Sequence, residues 1–431
     1  MSSDGRPFHE GTWKFSSRLF WSGAILLLAT CSIGSTTTTE TQTQQHLDIL
    51  RMTDEVLSQV SALRGLAVQE PVGRELHSEE SLRSYIAERL QEEYPGDMLE
   101  REQRILAMLG LLPAGFDLAS AVEHLYTSQT AGYYDPRKKI LYLSESLSAS
   151  FQIPTLAHEL THALQDQHFQ IGDYMNPDRE RQEDDQQLAI MGLVEGDATG
   201  VMLATLSGSP GGESWTESVS LLQDGMLQGL ASLSDGTLPS YLIRLLNFPY
   251  QHGTPFVARL YREGGWDAVS AAYQRPPKST EQILHPERYA PAEDVPTQVS
   301  KLLLPDRITD HELYHHLVLG EFVTRLILEP GLGNEEAARA ADGWDGDRVA
   351  LYQSEGGDLL VWLSVWDSPQ EAAEFALAVE SNLHGGIVES RDTRIVRVQS
   401  ENLRMEETQL RSVVLEMWEA WDRSGFVPGD P

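Results

Sequence analysis

The sequence predicts an α+β chain that is mainly α. Three observations carry this. Apolar residues at helical spacing recur from residue 46 to about 128, and again between Ile153 and about residue 273. Two short β segments around an Asp-Pro turn, Ala131 to Leu143, run into the most regular of these helices. After Pro291 the texture changes, as alternating strand-like segments begin to separate helices. A length of 431 residues with 41% hydrophobic composition is ample for two or three domains with real cores. No internal repeat stands out.

The chain opens with Arg6, Lys14 and Arg18 and then an apolar run, Leu19 to Ala29. That run is shorter than the ~20 residues that span a bilayer but fits the core of a signal peptide, read here as residues 1–30. The single cysteine, Cys31, follows Leu28-Ala29-Thr30 and resembles the lipid-acceptor cysteine of bacterial lipoproteins, with Thr30 where Gly, Ala or Ser is usual. A Thr/Gln-rich tract then reads as a tether over residues 31–45. The expectation is an extracytoplasmic protein, anchored as a lipoprotein through Cys31, with a cleaved secreted form and an uncleaved anchor as alternatives. Membrane contact would come through that N-terminal lipid or signal anchor only. With one cysteine there is no internal disulfide and no Cys-rich metal site. The formal net charge of -33, from 32 Lys+Arg against 65 Asp+Glu, argues against nucleic acid or an anionic membrane surface as partner.

Residues 46–128 read as a helical region. Ser78 to Leu90 shows a cap and helical spacing before a break at Pro95-Gly96. The β pair of residues 131–143 follows. A strand edge there, facing a cleft, would bind an extended peptide by backbone pairing, which suits a protease better than a small-molecule hydrolase.

The next helix carries His158-Glu159-Leu160-Thr161-His162, an H-E-x-x-H string. Residues i and i+4 lie about 40° apart on a helix, so two imidazoles can converge on one ion, with Glu159 beside them as general base for metal-assisted hydrolysis. Ile153, Leu156, Ala157, Leu160 and Leu164 form an apolar stripe nearly opposite the histidines, and Pro154 suits the first turn.

Catalytic zinc normally takes three protein ligands and keeps a fourth position for water. His168 has the histidine spacing of the metzincin motif, but Gln165 replaces its glycine. On a continuing helix His168 would be rotated about 240° from His162 and displaced about 9 Å along the axis, out of reach. Glu195 is preferred. It interrupts the apolar helical run Gln187 to Thr199, and metal ligation is one of few arrangements that offset burying a carboxylate. Asp197 and Thr199 fall where a partner for a ligand imidazole might be sought.

H-E-x-x-H followed some tens of residues later by a glutamate resembles the gluzincins. The stretch His158 to Phe169, with Leu193-Val194-Glu195-Gly196-Asp197-Ala198 downstream, resembles a group of poorly characterised bacterial metallopeptidases of that kind. Phe248-Pro249-Tyr250 with Gly253, Gly264-Gly265-Trp266 and Pro276 to Tyr289 extend the likeness. The resemblance implies a zincin-like catalytic domain over residues 129–290, with His158, His162 and Glu195 as ligands of Zn2+, Glu159 as base, and a peptide or protein as substrate. For the oxyanion-stabilising donor, His285, Tyr289, His252 and Tyr250 are the candidates; His285, at the end of the helix-like segment Ser279 to Leu284, is the first to test. A zincin-like module that binds but does not turn over substrate is the alternative.

Residues 291–431 read as an α+β module. It would contain Val299 to Leu304, a helix about Glu312 to Leu328, and a hairpin with strands Val349 to Gln353 and Asp358 to Trp366. A helix over Pro369 to Asn382, a strand near Arg394 to Val398 and a last helix over Gln409 to Trp421 would follow, the helices covering one sheet face. His311, His315 and His316 read as helix-surface histidines.

Overall fold

A computed structural model describes residues 39–145, 149–174, 184–208, 213–219, 238–290, 294–401 and 405–424, with the side chains of 39–50 and a few others excepted. The chain is α+β and mainly α, as the sequence predicts. The proposed signal peptide and Cys31 lie outside the described residues. The first helix, α1 (Thr39–Arg64), already begins within the tract read as a tether.

Strand β1 (Gly73–His77) and helices α2 (Glu79–Glu93), α3 (Met98–Met108) and α4 (Leu118–Gln129) follow. Ser78 caps α2 by accepting the Ser81 N–H at 3.2 Å. The strands β2 (Gly132–Asp135) and β3 (Ile140–Ser144) flank the Asp-Pro turn where expected. They join β1 in a three-stranded sheet of order β1-β3-β2, with β1 parallel and β2 antiparallel to β3. The helical N-terminal region therefore supplies a strand to the sheet beside the H-E-x-x-H helix.

That helix is α5 (Ala149–Phe169). Its stripe holds at Leu156, Ala157, Leu160 and Leu164, all fully buried against Leu141 and Leu143 of β3 and Val56 and Val60 of α1. Burying each leucine contributes about 1.5–3 kcal/mol. The start of the helix departs from expectation, because α5 begins a turn earlier. Pro154 is interior, and Ile153 is 44% exposed instead of joining the core.

Helix α6 (Asp184–Ser207) packs across α5. Among the described residues it is the one helix long and apolar enough to cross a membrane, yet 94% of its most apolar window is buried inside the protein. It is the central core helix. Helix α7 (Ser240–Phe248) runs into a π-helical turn (Pro249–Gly253) and then α8 (Thr254–Ala272), kinked at Gly264 and at Gly265, where φ is +63°. The π turn lies tight against α6. A Cβ on Gly253 would sit 2.0 Å from the Gly192 carbonyl oxygen, and one on Gly196 would sit 2.4 Å from that of Gly253, so only glycines permit this crossing. The helices expected from about residue 215 fall partly outside the described residues.

Helix α9 (Thr280–Leu284) leads to the C-terminal module, a six-stranded sheet of order β4-β5-β6-β7-β9-β8. Its elements are β4 (Arg307–Ile308), β5 (His311–Leu317), α10 (Gly320–Leu332), α11 (Asn334–Ala341), β6 (Trp344–Ser354), β7 (Gly357–Trp366), α12 (Pro369–Asn382), β8 (Gly386–Arg391), β9 (Arg394–Ser400) and α13 (Glu407–Arg423). Two expectations fail. Residues 311–317 are a strand paired with β6, and the helix starts only at Gly320, whose φ of +76° turns the chain out of the strand. His311 and His315 are accordingly buried strand residues, not helix-surface ones. Nor do the helices share one face: α12 packs with Trp362 and Trp366, whereas α13 packs on Val361, Leu363 and Val398.

The module is joined to the rest through buried carboxylates. Asp184 accepts the Val318 N–H at 3.2 Å, and the Thr280 hydroxyl, which donates to Asp185, accepts the Phe322 N–H at 3.2 Å.

Candidate metal centre

Helices α5 and α6 cross so that His158, His162 and Glu195 converge. The Nε2 atoms of His158 and His162 are 3.0 Å apart, and Glu195 Oε2 lies 3.0 Å from the first and 3.4 Å from the second. A tetrahedral ion with ligand bonds near 2.0–2.1 Å has edges of about 3.3 Å, so this triangle is nearly one face of such a tetrahedron. The three could hold a metal ion, and two imidazoles with one carboxylate are a donor set that suits it. All three are buried, between 1% and 3% exposed.

Charge and burial compete here. Burial pushes His158 below its ordinary pKa. Burial acts the same way on His162, but the Glu195 carboxylate outweighs it and raises that ring to about 9. Burial also opposes ionisation of Glu195, yet His162 and His158 hold its carboxyl well below the usual carboxylate range.

Glu159 is fully buried and points to the sheet, where its Oε2 accepts the Tyr134 N–H at 2.9 Å. Tyr134 is on β2, which among the described residues is an edge strand paired with β3, and this N–H faces away from β3. This edge of the sheet is buried along all four β2 residues and borders the carboxylate beside the histidine pair. The Tyr134 hydroxyl donates to Asp166 Oδ2 at 3.1 Å, tying the strand to the next turns of α5.

The other sequence candidates are scattered. His168 bonds the Ala67 carbonyl at 2.7 Å, between α1 and β1. His285 Nε2 pairs with Glu321 Oε1 at 2.9 Å and lies 3.9 Å from Asp342, in a cluster with α10. Tyr289 donates to the Arg275 carbonyl. His252 packs tilted against Phe248 and edge-on to Phe322, where burial first, and Arg325 and Arg244 next, lower its pKa to about 3. Tyr250 alone among them approaches the ligands, its ring centroid 6.3 Å from that of His158. It is placed there by the π turn, a distortion that sequence periodicity does not reveal.

Sequence reasoning also missed the support behind His162. Gln165 Oε1 lies 2.8 Å from His162 Nδ1, and Gln165 Nε2 donates to Val194 O at 3.0 Å and Asp197 Oδ2 at 3.1 Å. Asp197 in turn accepts Arg64 Nε at 2.7 Å and the Tyr273 hydroxyl at 2.9 Å. The i, i+3 spacing of His162 and Gln165 was the available signal. Asp197 supports the ligand through Gln165, not directly, and the buried Thr199 hydroxyl makes no hydrogen bond among the described residues.

The fold is zincin-like, and the domain is metallopeptidase-like. In agreement, residues 120–191 are similar to the IrrE N-terminal-like domain of the M78 peptidases, a span that includes His158, Glu159 and His162 and stops before Glu195. Residues 311–420, from β5 into α13, match a domain of unknown function, DUF8575. No curated protein and no solved structure matches the chain.

Proposed function

We propose that this protein is a zinc-dependent peptidase in which His158, His162 and Glu195 hold the metal and Glu159 is the general base. The observation that carries the reading is the triangle of three ligand atoms next to Glu159. Zinc bound there would lower the pKa of its water to about 7 and polarise the scissile carbonyl. Glu159, positioned by the Tyr134 N–H, would be the base that accepts a proton during hydrolysis and returns it to the leaving amine. The substrate would be a peptide or protein, although the β2 edge expected to pair with it is buried along all four residues and has its Tyr134 N–H bonded to Glu159. Tyr250, beside His158, is the favoured donor to the developing oxyanion; His285, bound to Glu321, is the rival. With the N-terminal signal and Cys31, we place this activity outside the cytoplasm and tethered to a membrane. An unbiased peptide-cleavage profile with and without a zinc chelator tests the reading; no chelator-sensitive cleavage would refute it.

One observation favours a second reading. His158, Glu159, His162 and Glu195 are all at most 3% exposed, a depth that suits a metal held for structure in a module that does not turn over substrate. Chelation would then lower stability without any cleavage to abolish.

A further inference from the structure

We propose that Arg64, Asp197 and Gln165 form a relay that sets the orientation and tautomer of His162, which makes the N-terminal helix α1 part of the metal centre. The inference rests on the metal-binding reading above and extends it to residues none of whose atoms would touch the ion.

The polarity of the relay follows from its far end. Arg64 and Asp197 are an ion pair with both side chains fully buried, and the Arg64 guanidinium also donates to the Trp266 carbonyl at 3.3 Å and Ser270 Oγ at 3.0 Å. Asp197 is thereby kept an acceptor. Gln165 presents its amide NH2 to two acceptors, Asp197 Oδ2 and the Val194 carbonyl, so its own carbonyl oxygen must face His162. An oxygen 2.8 Å from Nδ1 requires the proton on Nδ1. With that proton held on Nδ1, Nε2, which faces Glu195 and His158, is the nitrogen left to give up its proton to a metal ion. His158 has no such arrangement, for its buried Nδ1 makes no hydrogen bond among the described residues. The two imidazoles are therefore unequal, and His162 is the one locked before metal arrives.

A glutamine suits this position for a physical reason. A carboxylate at residue 165 would face both Asp197 and the Val194 carbonyl, two acceptors with no proton between them. The amide alone joins a donor on one side to an acceptor on the other. Arg64, Gln165 and Asp197 are positioning residues, and through them α1 reaches the centre.

The test is zinc affinity, read by competition with a coloured chelator on the full chain, alongside thermal unfolding of the metal-free protein. Gln165→Met keeps volume but offers no acceptor to Nδ1, and its zinc Kd should rise about 10–100-fold with little change in metal-free unfolding. The double variant Arg64→Met with Asp197→Asn removes both buried charges together, so it avoids an unpaired ion and should fold, yet it should also bind zinc more weakly than the parent. A purely structural role would lower the unfolding temperature and leave affinity alone. If the parent binds zinc and folded Gln165→Met binds it equally well, the relay is overturned while the metal centre stands. If the parent binds no zinc, the metal-binding reading fails and takes the relay with it.

Discussion

The Nε2 atoms of His158 and His162 lie 3.0 Å apart, a separation at which two lone pairs repel unless a proton or a metal cation sits between them. A proton can be that cation, as the pKa of about 9 at His162 indicates, and so can a metal ion. Glu195 Oε2, within 3.4 Å of both, completes the demand for positive charge. Metal binding should therefore stabilise the fold. With free zinc at 100 times Kd the gain is about 2.7 kcal/mol, visible as a rise in unfolding temperature that a chelator reverses. An unfolding temperature indifferent to zinc would contradict this.

Metal content also decides the third ligand. Glu195→Ala should lose most bound zinc, whereas His168→Ala, altered near Ala67, should keep it. Elemental analysis of both purified variants reads the outcome, and the reverse pattern would dismiss Glu195.

The π turn makes a prediction about oxyanion stabilisation. Tyr250→Phe should lower kcat about 10²–10³-fold at unchanged zinc content, the usual cost of removing one oxyanion donor, and His285→Gln should leave kcat near that of the parent. Steady-state kinetics on a cleaved peptide would separate the two, and equal activity in Tyr250→Phe would remove tyrosine from that role.

The close crossing of α6 and the π turn is a matter of sterics. Gly253→Ala places a Cβ 2.0 Å from the Gly192 carbonyl oxygen, so the helices must part. The expected cost is about 3 kcal/mol or more, in the range of severe core overpacking, measured by denaturant unfolding. An alanine tolerated there at full stability would show that the crossing is looser than described.

Acid should weaken the fold through two buried histidines. Burial lowers His252 and His315 to about 3, with nearby cations adding to the shift, so both stay neutral in the folded chain. Unfolding frees each to titrate at its ordinary value near 6.5, so the unfolded state binds more protons below that pH. Stability is then fully present above pH 6.5 and falls toward pH 3, by at most about 1.4 kcal/mol per pH unit for each histidine. His252→Phe, packed on the same Phe248 and Phe322 rings, should flatten that slope between pH 6.5 and 5. An unchanged slope would place the acid sensitivity elsewhere.

Local pattern made the α5 helix, the β2–β3 pair and the long α12 helix legible, because in each the apolar spacing and the turn residues agree with the tertiary fold. Glu195 was legible for a related reason, as a charge in an apolar run. What escaped depends on contacts between distant segments. Residues 311–317 carry helix-like spacing, but pairing with β6 holds them extended. Arg64 and Asp197 are 133 residues apart, and no periodicity joins them. Tyr250 was one of four candidates until the π turn set it beside His158, while His285, favoured from its place before Pro286, instead pairs with Glu321.

The most direct test is Glu159→Gln. The variant keeps the residue's size and all three metal ligands, so it should bind about one zinc per chain, as the parent should. Its peptide cleavage should fall about 10²–10⁴-fold, the contribution of a general base. Cleavage at the parental rate by zinc-loaded Glu159→Gln would contradict the mechanism at its centre.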